Sequence, residues 1–259
     1  MTVLTKRLAA VAAIGILAGC GQATEAEQPT PPTPAETLKK AVPAASAEPF
    51  HYVIKGGTQG LSGVVDTAGK AMTTEINEKI PEAGLTLSMT FMVVGEDSWA
   101  KISFGDAPAN LGLPKLPKKW MKLDLSRLGA DAKKDLTYDG QSDPGFVSTL
   151  IDAADGLTET SPGHFTGTVD LTEATEADVV EAATLTALGA KAKAVPFEAV
   201  LDDRGRISTA TVKVPAAGKV KADTYLVTYD RYGSAPSPQA PAGSAQVAAP
   251  KAAYELLNG

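Results

Sequence analysis

The side chains that most often do covalent or metal chemistry are scarce in this sequence. It holds one Cys and two His among 259 residues. The histidines, His51 and His164, lie far apart in the chain, and neither belongs to a His-Glu-x-x-His zinc motif. A Gly-x-Ser-x-Gly elbow, a phosphate loop and an EF-hand loop are also missing. Asp139, Asp202 and Asp203 lie just ahead of glycines, where carboxylates accept backbone hydrogen bonds in turns. With 30 acidic residues, chance carboxylate pairs are certain and point to no glycosidase. Trp99 and Trp120 lie beside strand residues and lysines, the setting of packing residues at a sheet rim. These features predict no enzyme, no cofactor and no metal. A net charge of −6 also excludes a general nucleic-acid binder, which needs clustered Lys and Arg.

The single Cys is the informative residue. Lys6 and Arg7 precede an apolar run, Leu8 to Leu17, which is shorter than the ~20 residues of a membrane span. The run ends in Leu17-Ala18-Gly19-Cys20, which resembles the bacterial lipobox. In that motif small residues admit the signal peptidase, and the Cys thiol receives a diacylglyceryl group. Residues 1–19 are thus expected to be a signal peptide and Cys20 the lipid attachment point. Residues 1–19 hold two positive charges and no acid, so the chain from Cys20 onward has 240 residues and a charge of −8. Lipidation turns a soluble domain into a tethered one. The expected location is the outer face of the cytoplasmic membrane. Residues 20–35 are rich in Pro, Thr, Gln and Glu without large apolar side chains. They cannot repay the entropy of ordering and are expected to form a disordered tether.

The rest, residues 36–259, is expected to form one domain. Glu36–Ala41 reads as a short helix. Period-two patterning then predicts strands over His51–Lys55, Leu61–Asp66, Ala71–Asn77, Leu85–Val93, Trp99–Phe104 and Lys119–Leu125. The clearest alternation sets Leu85, Leu87, Met89, Phe91 and Val93 on one face. Asp143-Pro144 is expected to open a helix over Phe146–Ala154 that Gly156 closes. Thr175–Leu188 is a second helix, closed by Gly189. Hairpins are expected over Leu157–Leu171 and Val195–Val214, then a strand over Ala222–Tyr229. Residues 233–246 are Pro/Ala-rich and loop-like, and Val247–Pro250 reads as a short last strand. The sum is an α+β fold with about ten strands around one antiparallel sheet, with two or three helices.

Several segments in their order resemble the LppX/LprAFG family of actinobacterial lipoproteins. They are the lipobox, the strand Trp120-Met121-Lys122-Leu123-Asp124-Leu125, and Asp143-Pro144 before an apolar helix. The hairpin ending His164-Phe165-Thr166-Gly167-Thr168-Val169-Asp170-Leu171 follows. Val195-Pro196-Phe197 through Arg206-Ile207 and Tyr229-Asp230-Arg231-Tyr232-Gly233 come last, with Ala249-Pro250 near the end. Against the family's pattern, residues 233–246 look like an insertion. The resemblance implies a LolA-like fold: a strongly curved antiparallel sheet, a half-barrel, with helices over its concave face. It also implies an apolar cavity that carries acyl chains of a lipid or glycolipid. Alternation then proposes a lining from Leu85, Leu87, Met89, Phe91, Met121, Leu123 and Leu125, with Val147, Leu150 and Ile151 from the helix. The expected partners are the membrane, through the N-terminal lipid, and an apolar or amphiphilic ligand. The expected state is a monomer. A sensor or regulatory module of the same fold, with a dry core and an envelope protein partner, is the competing expectation.

Overall fold

The alternating stretches between residues 50 and 105 become five consecutive antiparallel strands. They are β1 (Phe50–Lys55), β2 (Leu61–Asp66), β3 (Ala71–Ile80), β4 (Leu85–Val94) and β5 (Asp97–Gly105). The structure, a computed structural model, describes residues 31–58 and 60–259. The expected signal peptide, the lipobox and Cys20 lie outside them. β6 (Trp120–Lys122) pairs with β5 only at Trp99 and Ala100. The second half supplies β7 (Ala154–Ser161), β8 (His164–Val169), β9 (Val195–Leu201), β10 (Ile207–Val214) and β11 (Asp223–Asp230). β12 (Gln246–Ala248) runs parallel to β6. The order β12-β6-β5-β4-β3-β2-β1-β11-β10-β9-β8-β7 makes one open, curled sheet. It has twelve strands where about ten were expected, and its β6–β12 edge departs from a purely antiparallel plan.

Five α-helices are described, more than the expected two or three: α1 (Pro34–Ala41), α2 (Ala130–Asp135), α3 (Val147–Asp152), α4 (Ala182–Leu188) and α5 (Lys251–Leu257). α1 starts inside the stretch assigned to the tether, because Thr33 and Glu36 form a reciprocal capping box over its first turn. α3 starts at Val147 rather than at Pro144, since Phe146 has a left-handed backbone (φ 50°). Asp143 still caps it, accepting from the Val147 and Ser148 amides at 3.0 and 2.7 Å. Gly156 falls within β7 and does not close the helix. The expected helix 175–188 is broken in two. A 3-10 turn spans Thr175–Ala177, and Asp178 leaves helical geometry (φ 46°). Its carbonyl accepts instead from the Thr58 amide and hydroxyl, at 3.4 and 3.2 Å. The expected strand 119–125 shrinks to three residues, since Asp124 accepts from the Ser126 amide and turns the chain. The Pro/Ala-rich stretch carries the chain from β11, in the middle of the sheet, to its far edge. It is held there by Gln246, which donates to the Pro241 carbonyl and accepts from the Trp99 indole at 2.7 Å.

Residues directly opposite in neighbouring strands share a face, so register defines the inner surface. One such row reads Phe165, Ala199, Ala210, Val227, Ile54, Leu61, Ile76, Met89, Ile102. The helices pack on this face in two separate cores. The larger core joins β1, β2 and β8–β11 to Leu38 of α1, Val147, Leu150 and Ile151 of α3, and Leu188 of α4. The smaller joins Ala100, Ile102 and Met121 to Leu136, which ends α2, and to Ala253 and Tyr254 of α5.

Gly63 holds the middle of the sheet. A Cβ there would sit 1.8 Å from the Thr73 carbonyl oxygen and 2.9 Å from the Tyr52 ring. The missing side chain lets Tyr52 lie across β2 and donate to the Thr73 carbonyl at 3.1 Å. Gly63→Ala is expected to cost about 2–3 kcal/mol, as overpacked sites do. The shift of the urea midpoint measures it.

Candidate functional site

Between the two cores the helices only partly cover the inner face of β2, β3 and β4. Two adjoining cavities occupy this gap, of about 540 and 370 Å³. They share Leu61, Thr74 and Asp135 and so form one groove. Volumes of this size fall within the ~300–1,000 Å³ of small-molecule sites. The larger cavity has Tyr52 and Met72 on its floor and Pro144 and Phe146 on its wall. The smaller has Ile76, Met89 and Phe91 on its floor. Its other side is closed by Ala132 and Leu136, from α2 and its C-terminal cap, and by Leu256 and Leu257 of α5. The walls are mixed: apolar at the sheet, polar where Lys134 of α2 and Asp139 and Gln141 beyond it approach.

The loop that walls the larger cavity is fixed from below. Asp143 is buried, and besides the two amides it accepts from the Ser148 hydroxyl at 2.7 Å and from the Tyr229 hydroxyl. The Tyr229 oxygen accepts in turn from the Gly145 amide at 2.9 Å, and the Tyr225 hydroxyl donates to the Gly145 carbonyl at 3.2 Å. A Cβ at Gly145 would lie 2.5 Å from Val227 Cγ1, so the loop can press this closely on β11 only with glycine there. Burial, and then the Asp143 carboxylate, push the Tyr229 phenol well above its usual range. Burial pushes Tyr52, on the groove floor, up to about 12. Both phenols are therefore neutral near pH 7.

The sequence-proposed lining is divided among these regions. Met89 and Phe91 reach the groove. Leu87 is half-buried against the smaller core, and Leu85 is buried at the start of β4. Met121 and Leu123 are buried in the smaller core, with Leu125 partly buried on it. Val147, Leu150 and Ile151 are buried in the larger core. These residues do not meet in one wall; the groove lies between their two clusters. Leu61, Met72, Ile76, Phe146 and Leu256 were missed as lining.

The histidines take separate places. His51 Nδ1 lies 2.8 Å from the Asp230 carboxylate across β1 and β11, and His164 begins β8. Among the described residues no group of three His, Cys, Asp or Glu is gathered as a metal site. No helix among them is long and apolar enough to cross a membrane.

No family model and no curated protein matches the chain. Among solved structures it is weakly similar to a LolA superfamily protein from Nitrosomonas europaea. That match has 9% identity and a TM-score of 0.21, over 79% of this chain and 93% of the other. A porin-like protein from Bacteroides uniformis is similar at 10% identity and a TM-score of 0.20, over 73% and 99% of the two chains. Likeness at this level carries no argument about function.

Proposed function

We propose that this chain is a non-enzymatic carrier of the LppX/LprAFG type that shelters the acyl part of a lipid or glycolipid. It would be held at the outer face of the cytoplasmic membrane by a lipid on Cys20. The observation that carries the reading is the groove. The inner sheet face is packed at both ends, and between them the partly buried Leu61, Ile76, Met89 and Phe91 border open space. Each methylene moved from water onto such a surface contributes about 0.8 kcal/mol. The polar segment Lys134–Gln141, from the end of α2 onward, gives a headgroup a place near water. The lipobox supports the anchor.

The full chain, purified from its native membrane and kept folded, should carry lipid seen by native mass spectrometry and recovered by solvent extraction. Leu61→Trp fills the part shared by both cavities. It should lower lipid occupancy about tenfold or more, since displacing two or three methylenes suffices, while the unfolding midpoint holds. Folded protein that repeatedly carries no lipid, and takes none from vesicles, would sink the carrier reading. An envelope protein captured by crosslinking in the native membrane would then favour the regulatory module.

A further inference from the structure

A third cavity lies on the outer side of the sheet, at the free edge of β5, where Ile102 and Phe104 also border it. Along β4, Ser88 and Thr90 alternate with Met89 and Phe91, so their side chains leave on the outer side. Ser88 lies opposite Ser103 of β5, and Thr90 opposite Lys101. β6 pairs with β5 only through Trp99 and Ala100, so no described strand borders β5 from Lys101 onward on that side. The returning segment brings Leu116, Pro117 and Lys118 to this edge and encloses a cavity of about 430 Å³.

Its polar groups are of one kind. The hydroxyls of Ser88, Thr90 and Ser103 line it, with the ammonium-bearing Lys101 and Lys118, and no carboxylate does. None of these five side chains makes an ion pair or a side-chain hydrogen bond among the described residues. Lys101 is held in place by its position over the Trp120 ring, 4.5 Å from the centroid. The local charge runs against that of the whole chain: residues 107–123 hold Lys115, Lys118, Lys119 and Lys122 and no acid, in a protein of net charge −6. Lys122 is already paired, with Asp97 at 2.9 Å. The nearest acid by register is Glu75 of β3, opposite Thr90 and one strand beyond it from Lys101.

We propose that this outer pocket binds a phosphate ester, with Lys101 and Lys118 on the phosphate oxygens and the three hydroxyls on the rest of the group. Two ammoniums without a carboxylate fit a dispersed negative charge, and hydrogen bonds to ionised groups are the stronger kind. The volume exceeds what a bare phosphate fills and leaves room for a polyol substituent. The source is either a soluble phosphoester or the headgroup of an anionic phospholipid. The site lies across the sheet from the groove and does not depend on the carrier reading.

The test titrates the full chain with glycerol 3-phosphate and with glycerophosphoglycerol, a deacylated phospholipid headgroup, and follows tryptophan emission. Sodium chloride at matched ionic strength is the control, and Trp120→Phe identifies the reporter. Saturable binding is expected for at least one probe. It should weaken about tenfold or more in the Lys101→Gln/Lys118→Gln double variant, whose exposed or half-exposed positions leave the fold intact. Tighter binding of glycerophosphoglycerol indicates a lipid headgroup, and tighter binding of glycerol 3-phosphate a soluble ester. The proposal is overturned if neither probe saturates, if chloride reproduces the signal, or if the folded double variant binds as well as the parent.

Discussion

Asp143→Ala is expected to lower the unfolding free energy by about 3–5 kcal/mol. The carboxylate is buried and accepts from the Val147 amide, the Ser148 amide, the Ser148 hydroxyl and the Tyr229 hydroxyl. Alanine leaves donors without partners at the start of α3. An unpaired buried donor costs about 1–3 kcal/mol. The loop would loosen as well, because the Tyr229 oxygen that holds the Gly145 amide loses its own anchor. Asp143→Asn keeps one acceptor and the shape, and should cost about 1–2 kcal/mol. Urea unfolding of the two variants measures the difference. Equal, small losses in both would show that the network contributes little. Because the loop is a wall of the groove, the proposed carrier role predicts that Asp143→Ala also weakens lipid retention, whereas Asp143→Asn leaves most of it.

A steep alkaline transition is the second large effect. Four tyrosines are raised by burial: Tyr52 to about 12, and Tyr225, Tyr229 and Tyr232 also upward. Charges of Asp143 add to the burial at Tyr225 and Tyr229, while the Arg206 guanidinium partly offsets it at Tyr232. In the unfolded chain these phenols ionise near pH ~10. Above that pH the unfolded state releases protons that the folded state retains, so stability falls as pH rises. The stabilisation is complete below about pH 10 and is lost as pH climbs through the raised values. Tyr52, 1% exposed, removes about 3 kcal/mol between pH ~10 and ~12 on its own. The other three act in the same direction. With a total stability of about 5–15 kcal/mol, the sheet should unfold within this window. Tyrosinate absorbance and near-ultraviolet circular dichroism should then change together. Smooth ionisation near pH ~10 with the fold intact would contradict the burial of these four rings.

How much of this was legible depended on whether a signal was local. Leu85–Val94 alternates over ten residues, and its strand, face and neighbours follow from that. The hairpin over Asp202–Gly205 was marked by turn residues. α2 was missed because Ala130–Asp135 has no apolar stripe; Leu136, just beyond it, holds the chain to the sheet. The helix expected over 175–188 broke because Thr58, far away in sequence, takes the Asp178 carbonyl. The groove was legible in part. Met89 and Phe91 were read from their own strand. Leu61, Ile76, Phe146 and Leu256 come from four separate segments, and only cross-strand register and two helix placements bring them to one space. Alternation tells which face a residue takes, but not whether a helix covers that face.

The order of strands also has a consequence for how the molecule is made. β1 pairs with β11, joining His51 to Asp230, and β6 pairs with β12, joining Met121 to Val247. Both outer edges of the β1–β6 meander therefore wait for partners from the last third of the chain. Closing such long loops before any pairing is gained makes folding slow. While synthesis proceeds, the first half exposes two open strand edges and an apolar face. A chain ordered in this way stays open at both edges of its first half until its C-terminal strands arrive. Its folding step waits for β11 and β12, which close those edges.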